Sequence, residues 1–421
     1  MKKLLILGST YGNKEAIHYA KSKGVYTIVT DYLEPEESPD KLIADEYWMI
    51  STGDIDALEQ ECIKKNVTAV ANFVSDFCIN KATILCERLN IPFYTNTKTF
   101  RYSLDKRAFK DFCLQHDVPV PKDYYLDQES ISDSENKISY PVVVKPIDLA
   151  GNIGLSYCNN NDELMSGYHY AQEKSPSGKV VIEQRLNGDE WYSIYAFSKG
   201  EVRHIALNAM YAQPGYPSCC YSITTTVSSW INRWTEEVSP KVELMLQKMG
   251  CREGACFVQG MTNDDDIYVL EMGYRLDGDT MFIPYKELLG TDLVKYITDY
   301  SLTGKSNIND LPPSQKAPFE RCACSYMLWT HTEGILSSIG GLEDIATLPG
   351  VTILQKTQPG THVDRYRPVG NILFVSDSCE EMCKIIAFIN EKIKVLDNAG
   401  NDILIRFTDF DTLIKNSERQ C

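Results

Sequence analysis

The first 95 residues alternate between short apolar runs and longer amphipathic segments. Apolar runs occupy residues 3–7, Tyr26–Thr30 and Val67–Phe73, and an amphipathic helix is predicted from about Lys14 to Lys23. Continuous apolar strands that alternate with helices are typical of a parallel sheet covered on both faces. The pattern therefore predicts a parallel α/β domain at the start of the chain.

The pattern changes beyond residue 97, where predicted strands are separated mainly by turns. A helix is predicted at Asp105–Gln115, and strands are predicted at Tyr140–Lys145, Lys179–Glu183 and Tyr192–Phe197. Each of these strands carries several apolar residues, as strands of a protein core do. The Pro-containing segment Gly304–Ala317 is predicted to be a linker to a mixed C-terminal portion.

A β-hairpin is predicted near the middle of the chain. The apolar runs Ala255–Val258 and Ile267–Leu270 flank a polar turn. Gln259 ends the first arm, Glu271 ends the second, and Arg275 follows four residues later. Oxygen atoms fixed on strands beside a guanidinium suit Mg²⁺ and phosphate, since Mg²⁺ takes hard oxygen ligands and Arg binds phosphate oxygens. A surface hairpin with ordinary polar ends is the alternative.

Composition and charge restrict the classes of partner. The chain has 421 residues, 43% of them hydrophobic, which allows several domains with sizeable cores. Its net charge of −16 leaves no basic footprint, so nucleic acid and anionic membranes are not expected partners. The 14 cysteines show no paired zinc spacing, and no apolar run is long enough to span a membrane. These features predict a cytosolic protein with reduced thiols.

Two neighbouring features suit phosphate binding. Lys145 ends an apolar strand, where an ammonium group is costly unless it pairs with an anion. The loop Asp148–Gly154 follows, and its two glycines, Gly151 and Gly154, allow backbone N–H groups to approach an anion closely. The alternatives are a lysine that extends into solvent at a strand end and an ordinary glycine turn.

A third candidate segment suits a nucleoside. Glu183 and Gln184 end a strand, and Glu190 follows after the turn at Gly188. Extended backbone at such a position can bind a purine edge, and a carboxylate further along can bridge ribose hydroxyls. Solvated acids around a turn are the alternative interpretation.

A nicotinamide site is disfavoured. Gly8, Gly12 and Asp31 partly match a dinucleotide fingerprint, but residues 9–11 do not complete the G-x-G-x-x-G pattern. A dehydrogenase would require this site, so the sequence argues against one.

Taken together, these segments resemble the ATP-grasp superfamily of carboxylate–amine ligases over essentially the whole chain. The matching segments are DKRAFKDFCLQHDVPVP, YPVVVKP, DLAGNIGL, VIEQRLNGDEW and the hairpin with Gln259, Glu271 and Arg275. The resemblance implies ATP contacts from Lys106, Lys145, Gly151, Asn152, Gly154, Glu183, Gln184, Leu186 and Glu190. It implies Mg²⁺ or Mn²⁺ ligation by Gln259 and Glu271, and it implies that Arg275 is catalytic and steadies the transferred phosphoryl group.

The resemblance also implies a three-part architecture of α/β and α+β type. Residues 1–96 would form a Rossmann-like pre-ATP-grasp domain, and 97–305 the two-lobed ATP-grasp domain, with its nucleotide-binding lobe at about 120–200. Residues 306–421 would form a mixed C-terminal domain that caps the substrates. Several runs, among them LPGVTIL and PVGNILFVSDSCEEM, look most similar to L-amino acid ligases. Carbamoyl-phosphate-synthase-like and glycinamide ribonucleotide synthetase-like enzymes share the core and are the alternatives.

The implied activity is ligation of two small molecules. ATP would activate a small carboxylate, an amino acid or related metabolite, as an acyl phosphate, and an amine would then displace phosphate. ADP and phosphate would be released, and a homodimer is a compatible assembly. Candidate substrate residues are Tyr216, Ser218, Asp277 and Asp279. The carboxylate of Asp277 or Asp279 could bind a substrate ammonium. Turn formation after the hairpin is the alternative role for the two aspartates.

Three positions depart from the family pattern. The family usually has Asn two residues after the metal-binding Glu, and this chain has Gly273. Gln259 replaces the commoner acid, and Asn152 and Ile153 replace the usual Ser and basic residue of the phosphate loop. A site with one carboxylate is expected to hold its metal weakly before ATP arrives. The alternative function is therefore an ATP-binding homologue of low or no activity with a regulatory or binding role.

Overall fold

The computed structural model describes residues 1–126, 131, 138–149, 153–263 and 266–420. The strands are β1 (Lys3–Leu7), β2 (Tyr26–Thr30), β3 (Glu46–Trp48), β4 (Ala69–Ala71), β5 (Val142–Pro146), β6 (Ser156–Cys158), β7 (Val180–Gln184), β8 (Glu190–Ser198), β9 (Glu201–Ala212), β10 (Tyr221–Thr225), β11 (Gly254–Asn263), β12 (Asp266–Gly273), β13 (Cys322–Trp329), β14 (Gly334–Gly340), β15 (Thr352–Gln355), β16 (His362–Val363), β17 (Pro368–Ser376) and β18 (Lys394–Asp397). The helices are α1 (Asn13–Ser22), α2 (Asp40–Ile43), α3 (Ile55–Lys65), α4 (Asp76–Leu89), α5 (Thr97–Leu104), α6 (Lys106–Leu114), α7 (Asn161–Lys174), α8 (Ile231–Arg233), α9 (Ser239–Met249), α10 (Tyr285–Leu289), α11 (Leu293–Thr303), α12 (Leu342–Ile345), α13 (Cys379–Lys392) and α14 (Phe410–Glu418).

The N-terminal sheet is parallel, with strand order β3–β2–β1–β4. Leu5, Ile28 and Val70 are fully buried in its core, as continuous apolar strands require. Gly12 has a φ of 85° and precedes α1, and a Cβ there would lie 3.1 Å from Val294. Glycine therefore allows both the turn and the close approach of α11. The predicted parallel α/β domain is confirmed.

A small antiparallel sheet, β6–β5–β7, carries α7 on one face. Val142 and Val144 are fully buried in the same apolar cluster as Leu164 of α7. Because side chains alternate along a strand, Val143 and Lys145 lie on the opposite face. That face is directed towards the rest of the chain, and it carries the candidate residues of this sheet.

The largest sheet has eight strands in the order β12–β11–β8–β9–β10–β13–β17–β15. Strand β10 pairs with β13, so one sheet continues across the boundary predicted at residues 305 and 306. Glu271, Gln259, Tyr192 and Asn208 stand opposite one another on four successive strands. Directly paired residues share a face, so this row presents four polar side chains to the same side of the sheet.

The C-terminal portion adds a small sheet, β16–β14–β18, and packs α13 against β13 and β17. Ile386 and Ile389 of α13 are fully buried in this second core. Among the described residues, no helix has both the length and the apolar character needed to cross a membrane.

Candidate active site

A cavity lies between the small sheet and strands β8, β11 and β12 of the large sheet. It brings together residues predicted from separate segments, namely Lys106, Lys145, Glu183, Gln184, Leu186, Glu190, Gln259 and Glu271. Its apolar walls come from Val143, Leu149, Leu155, Met261 and Leu270. The guanidinium of Arg185 stacks on the ring of Tyr157 at 4.4 Å, and both line the cavity. Apolar walls with charged groups at one side suit a flat ring joined to an anionic tail.

Glu183 is held between two lysines. Its carboxylate pairs with Lys145 through Oε1 and with Lys110 through Oε2, and only 2% of the residue is exposed. Burial alone would raise the pKa of Glu183, but the two ammonium groups outweigh it and lower the pKa to about 2. Burial lowers the pKa of Lys145, and the charge of Glu183 reverses this, so its pKa is raised overall. Lys145 is therefore a fixed positive charge at the cavity wall.

Lys106 begins α6 and reaches the hairpin. Asp105 caps this helix by accepting hydrogen bonds from the backbone N–H groups of Arg107 at 3.0 Å and Ala108 at 2.9 Å. The Lys106 ammonium lies 3.4 Å from Oε2 of Glu271 and donates to the carbonyl of Leu149 at 2.7 Å. The side chain therefore links the predicted metal carboxylate to the start of the phosphate loop.

Glu190 is the first residue of β8 and lines the same cavity. Burial and the nearby negative charge of Glu271 raise the pKa of Glu190 to about 7. Its carboxyl group is therefore partly protonated near neutral pH. It can donate or accept a hydrogen bond there, and either suits a ribose hydroxyl.

The two predicted metal ligands are cross-strand neighbours. Gln259 of β11 pairs directly with Glu271 of β12, so their side chains share the cavity face of the hairpin. Among the described residues, no group of three or more His, Cys, Asp or Glu side chains has the arrangement of a metal site. One carboxylate and one amide oxygen fit Mg²⁺ or Mn²⁺ only if phosphate oxygens complete the coordination.

Gly273 has a structural reason. A Cβ at Gly273 would lie 2.3 Å from Cε1 of Phe257, its partner in the hairpin register. The Arg275 guanidinium stacks on the same Phe257 ring, 4.8 Å from its centroid. The aromatic ring therefore occupies the space in which the side chain of an Asn at position 273 would begin.

Arg275 does not line the cavity but lies next to it. Its Nε donates to Oδ1 of Asp76 at 2.8 Å, and an η nitrogen donates to the carbonyl of Leu276 at 2.9 Å. Burial lowers the pKa of Arg275, but Asp76 and then Glu271 and Asp277 raise it. The guanidinium is thus surrounded by three carboxylates, one of them from the N-terminal domain.

The remaining predicted residues have different surroundings. Asp277 and Asp279 are buried, whereas Tyr216 and Ser218 lie on an exposed loop away from the cavity lining. Gly154 has a φ of 76°, and a Cβ there would lie 2.7 Å from Pro146, so glycine is required at this turn. Gly151 and Asn152 lie outside the described residues.

The sequence prediction assigned no role to Lys110, which pairs with Glu183. The sequence does indicate where Lys110 lies, because Lys106 and Lys110 are four residues apart on α6 and therefore share a face of the helix. Tyr192 and Lys356 carried no comparable signal. They reach the site only through strand pairing and through the packing of the C-terminal portion.

Comparisons with known proteins identify a matching family and similar chains. The family described as D-ala D-ala ligase C-terminus matches residues 116–205. A formate-dependent phosphoribosylglycinamide formyltransferase from Francisella tularensis subsp. tularensis is 27% identical over 207 residues, which cover 48% of this chain and 51% of that protein. The chain therefore spans about half the length of this relative.

Solved structures match over nearly the whole chain. An L-amino acid ligase from Bacillus licheniformis is 17% identical, with a TM-score of 0.77 over 94% of this chain and 99% of that one. The biotin carboxylase domain of Hydrogenobacter thermophilus 2-oxoglutarate carboxylase, in complex with MgADP, ADP and bicarbonate, is 16% identical, with a TM-score of 0.74 over 99% and 94% of the two chains. At these identities the likeness shows the fold, and it confirms the predicted three-part architecture.

Proposed function

We propose that this chain, which carries an ATP-grasp domain, is a ligase that joins a small carboxylate to an amine at the expense of ATP. The observation that carries the proposal is the convergence of Lys106, Lys145, Glu190, Gln259 and Glu271 on one cavity. Segments that are far apart in sequence supply these groups, and each group has the charge or hydrogen-bonding capacity that a nucleotide triphosphate needs.

The residues support phosphoryl transfer by positioning and electrostatics. Lys145, oriented by Glu183, and Lys106 would neutralise phosphate oxygens, and the apolar walls of the cavity would hold the adenine. Mg²⁺ or Mn²⁺, when held by Gln259 and Glu271, would supply additional positive charge at the phosphates. Arg275 would steady the phosphoryl group as the substrate carboxylate takes it. The resulting acyl phosphate hydrolyses readily, so the enclosing walls would also exclude water.

The substrate is proposed to be an amino acid or a related small metabolite. The name of the Bacillus licheniformis neighbour supports this class, and the names of the other relatives support carboxylate activation more generally. Carbamoyl-phosphate-synthase-like or glycinamide ribonucleotide synthetase-like chemistry is the alternative within the same fold.

The test uses the full chain with Mg-ATP and a pool of the proteinogenic L-amino acids. We expect ADP to form at a rate that depends on the pool, and we expect Glu271→Ala to abolish it. The exposed Glu418 provides a matched control, and Glu418→Ala should retain the wild-type rate. Full pool-dependent ADP formation in Glu271→Ala would contradict the metal assignment.

A nucleotide-binding protein of low turnover is the second candidate. Two observations favour it. Phe257 fills the space at Gly273, so no side chain at that position can bind a metal, and Gln259 leaves Glu271 as the only carboxylate of the predicted metal pair. Nucleotide binding measured by calorimetry, combined with no ADP formation on any pool of carboxylates and amines, would favour this candidate over the ligase.

A further inference from the structure

We propose that Asp277 and Asp279, together with Tyr192, bind the amine substrate as its ammonium ion and accept the proton that it must lose. The inference rests on the proposed ligase function and deepens it. It assigns the second substrate to a primary amine, and it assigns a proton acceptor to the second half-reaction.

Both carboxylates are deeply buried, yet they are incompletely satisfied. Asp277 is 3% exposed and Asp279 is 6% exposed. Oδ1 of Asp277 has no partner at full hydrogen-bond distance within the described part of the chain, and neither has the hydroxyl of Tyr192, a residue that is itself only 3% exposed. The hydroxyl nevertheless faces both carboxylates closely enough to lower the pKa of each. Buried polar groups held at such a long separation are incompletely satisfied, so a ligand that donates hydrogen bonds between them would remove a penalty.

The other atoms of the acid pair are fixed in place. Oδ2 of Asp277 accepts from the backbone N–H of Met281 at 2.7 Å, and Oδ2 of Asp279 accepts from the hydroxyl of Thr224 at 2.7 Å. The backbone carbonyl of Asp279 accepts from Ser325 at 2.8 Å. The Met281 contact therefore orients the carboxylate whose Oδ1 is unpaired, and the contacts from β10 and β13 fix Asp279 beside it. Fixed carboxylates of this kind are what a preorganised binding site requires.

The acid pair lies beside the proposed phosphoryl site. Tyr192 stands next to Gln259 in the strand register, on the same face of the sheet as Glu271. Arg275 interacts electrostatically with both Glu271 and Asp277. The half-buried Tyr221 interacts electrostatically with Glu190 and with both aspartates. An amine held by the acid pair would therefore be adjacent to the activated carbonyl.

Three tyrosines and two cationic side chains surround the acid pair. The groups that face it are Tyr192, Tyr221, Tyr285, Arg275 and Lys356. Burial and the charge of Asp279 raise the pKa of Asp277 to about 7, and burial raises the pKa of Asp279. Lys356 is desolvated here, which lowers its pKa, although the charge of Asp279 opposes this. A carboxylate with such a pKa can accept a proton from an ammonium near neutral pH.

The proposed step consists of a proton transfer followed by displacement of phosphate. The bound ammonium gives one proton to the Asp277 and Asp279 pair and becomes a neutral amine. Its nitrogen lone pair attacks the acyl carbon, the bond from that carbon to the phosphate oxygen breaks, and phosphate leaves with the electron pair. The second nitrogen proton passes to the leaving phosphate, and the acid pair releases its proton to solvent.

The experiment separates activation of the carboxylate from use of the amine. Mg-ATP and pooled L-amino acids are supplied either alone or with hydroxylamine, a neutral nucleophile that traps an acyl phosphate as a hydroxamate. We expect Asp277→Asn to lower pool-dependent ADP formation without hydroxylamine by about 100-fold. The hydroxamate yield should stay within about twofold of wild type, since trapping needs neither the cation site nor the proton acceptor.

Two variants guard against a folding defect. Asn at position 277 can still accept the Met281 hydrogen bond, and Tyr192→Phe, which keeps the ring, should produce the same selective loss. The exposed Asp56 provides a control, and Asp56→Asn should match wild type in both assays. Equal losses of hydroxamate and amide product in Asp277→Asn would overturn the inference. Absence of hydroxamate and of ADP in the wild type would instead overturn the proposed function on which it rests.

Discussion

At the residue scale, the most constrained charge is Glu183. It lies between Lys145 and Lys110 with almost no exposure to solvent. Removing one member of a buried ion cluster leaves its partners charged and unpaired, which costs about 3–5 kcal/mol. Glu183 therefore orients Lys145 and offsets the free-energy cost of burying the charge of that lysine.

Glu183→Gln should lower the free energy of unfolding by about 3 kcal/mol, because two buried ammonium groups lose their counter-ion. Denaturant titration measures this change, and the exposed substitution Glu418→Gln should leave the free energy unchanged. Because the folded pKa of Glu183 is lowered to about 2, the ion cluster stabilises fully above pH 4.5 and loses this effect as the pH falls towards 2. A stability of Glu183→Gln equal to that of wild type at pH 7 would contradict the cluster.

Glu190 should show the opposite pH dependence. Its pKa is raised from 4.5 to about 7, so the folded state holds its proton more tightly than the unfolded state does. Stability from this group is present below pH 4.5 and is lost as the pH rises through 7. Glu190→Gln removes this loss, so it should exceed wild type by about 1–3 kcal/mol at pH 8 and approach wild type at pH 4.5. Parallel curves of unfolding free energy against pH would contradict the assigned pKa.

At the element scale, the hairpin of β11 and β12 was the most informative prediction from sequence. Its apolar arms predicted the two strands, but Gln259 and Glu271 lie within β11 and β12 rather than at their ends. Their direct pairing follows from the register, which the sequence did not predict. The position of Phe257 beside Gly273 was not predictable, because it depends on register and on the bulge that follows Gln259. Gly273 thus packs against Phe257, and this contact gives a structural cause for the absence of the family's Asn at position 273.

Gly273→Asn should destabilise the protein by about 1–3 kcal/mol, since the new side chain begins inside the volume of the Phe257 ring. The double variant Phe257→Ala with Gly273→Asn should recover part of this loss and bind Mn²⁺ more tightly than wild type in the presence of ATP. Electron paramagnetic resonance of Mn²⁺ measures the affinity, and Phe257→Ala alone is the control. Unchanged Mn²⁺ affinity in the double variant would contradict the assignment of a metal site to this hairpin.

Other elements show which structural features can be predicted from the sequence and which cannot. Tyr26–Thr30 has the bounds that its apolar run predicted. Helix α4 starts at Asp76 because Ser75 caps it by accepting from the N–H of Cys78 at 3.2 Å. The pairing of β10 with β13 joins residues about 100 positions apart, and no local pattern encodes such a contact.

At the scale of the whole molecule, the site depends on contacts between distant parts of the chain. Arg275 of the hairpin region binds Asp76, which begins α4 of the N-terminal domain. Lys356, from the C-terminal portion, interacts with Asp279 and lies 5.2 Å from the ring centroid of Tyr11. All three parts therefore contribute charged groups around Arg275 and the acid pair. Single sequence motifs consequently predicted the residues that line the cavity more completely than the surroundings of Arg275 and the acid pair.

Asp76→Asn should release Arg275 from the N-terminal domain and lower ADP formation several-fold, mainly through kcat, while the KM for ATP stays close to wild type. Steady-state kinetics with Mg-ATP and pooled amino acids measures both constants. The exposed Asp56→Asn, on the same domain, is the matched control. An effect confined to the KM for ATP would contradict a role for Arg275 at the reacting phosphoryl group.

The cavity is proposed to transfer the γ-phosphoryl group of ATP to a carboxylate. The most direct measurement follows oxygen atoms from a pool of L-amino acids labelled with ¹⁸O in their carboxyl groups, with the released phosphate analysed by ³¹P NMR. Attack by the carboxylate on ATP predicts one ¹⁸O atom in each phosphate released. Phosphate that carries only unlabelled oxygen would show that water, rather than a carboxylate, accepts the phosphoryl group. That result would contradict carboxylate activation in this cavity.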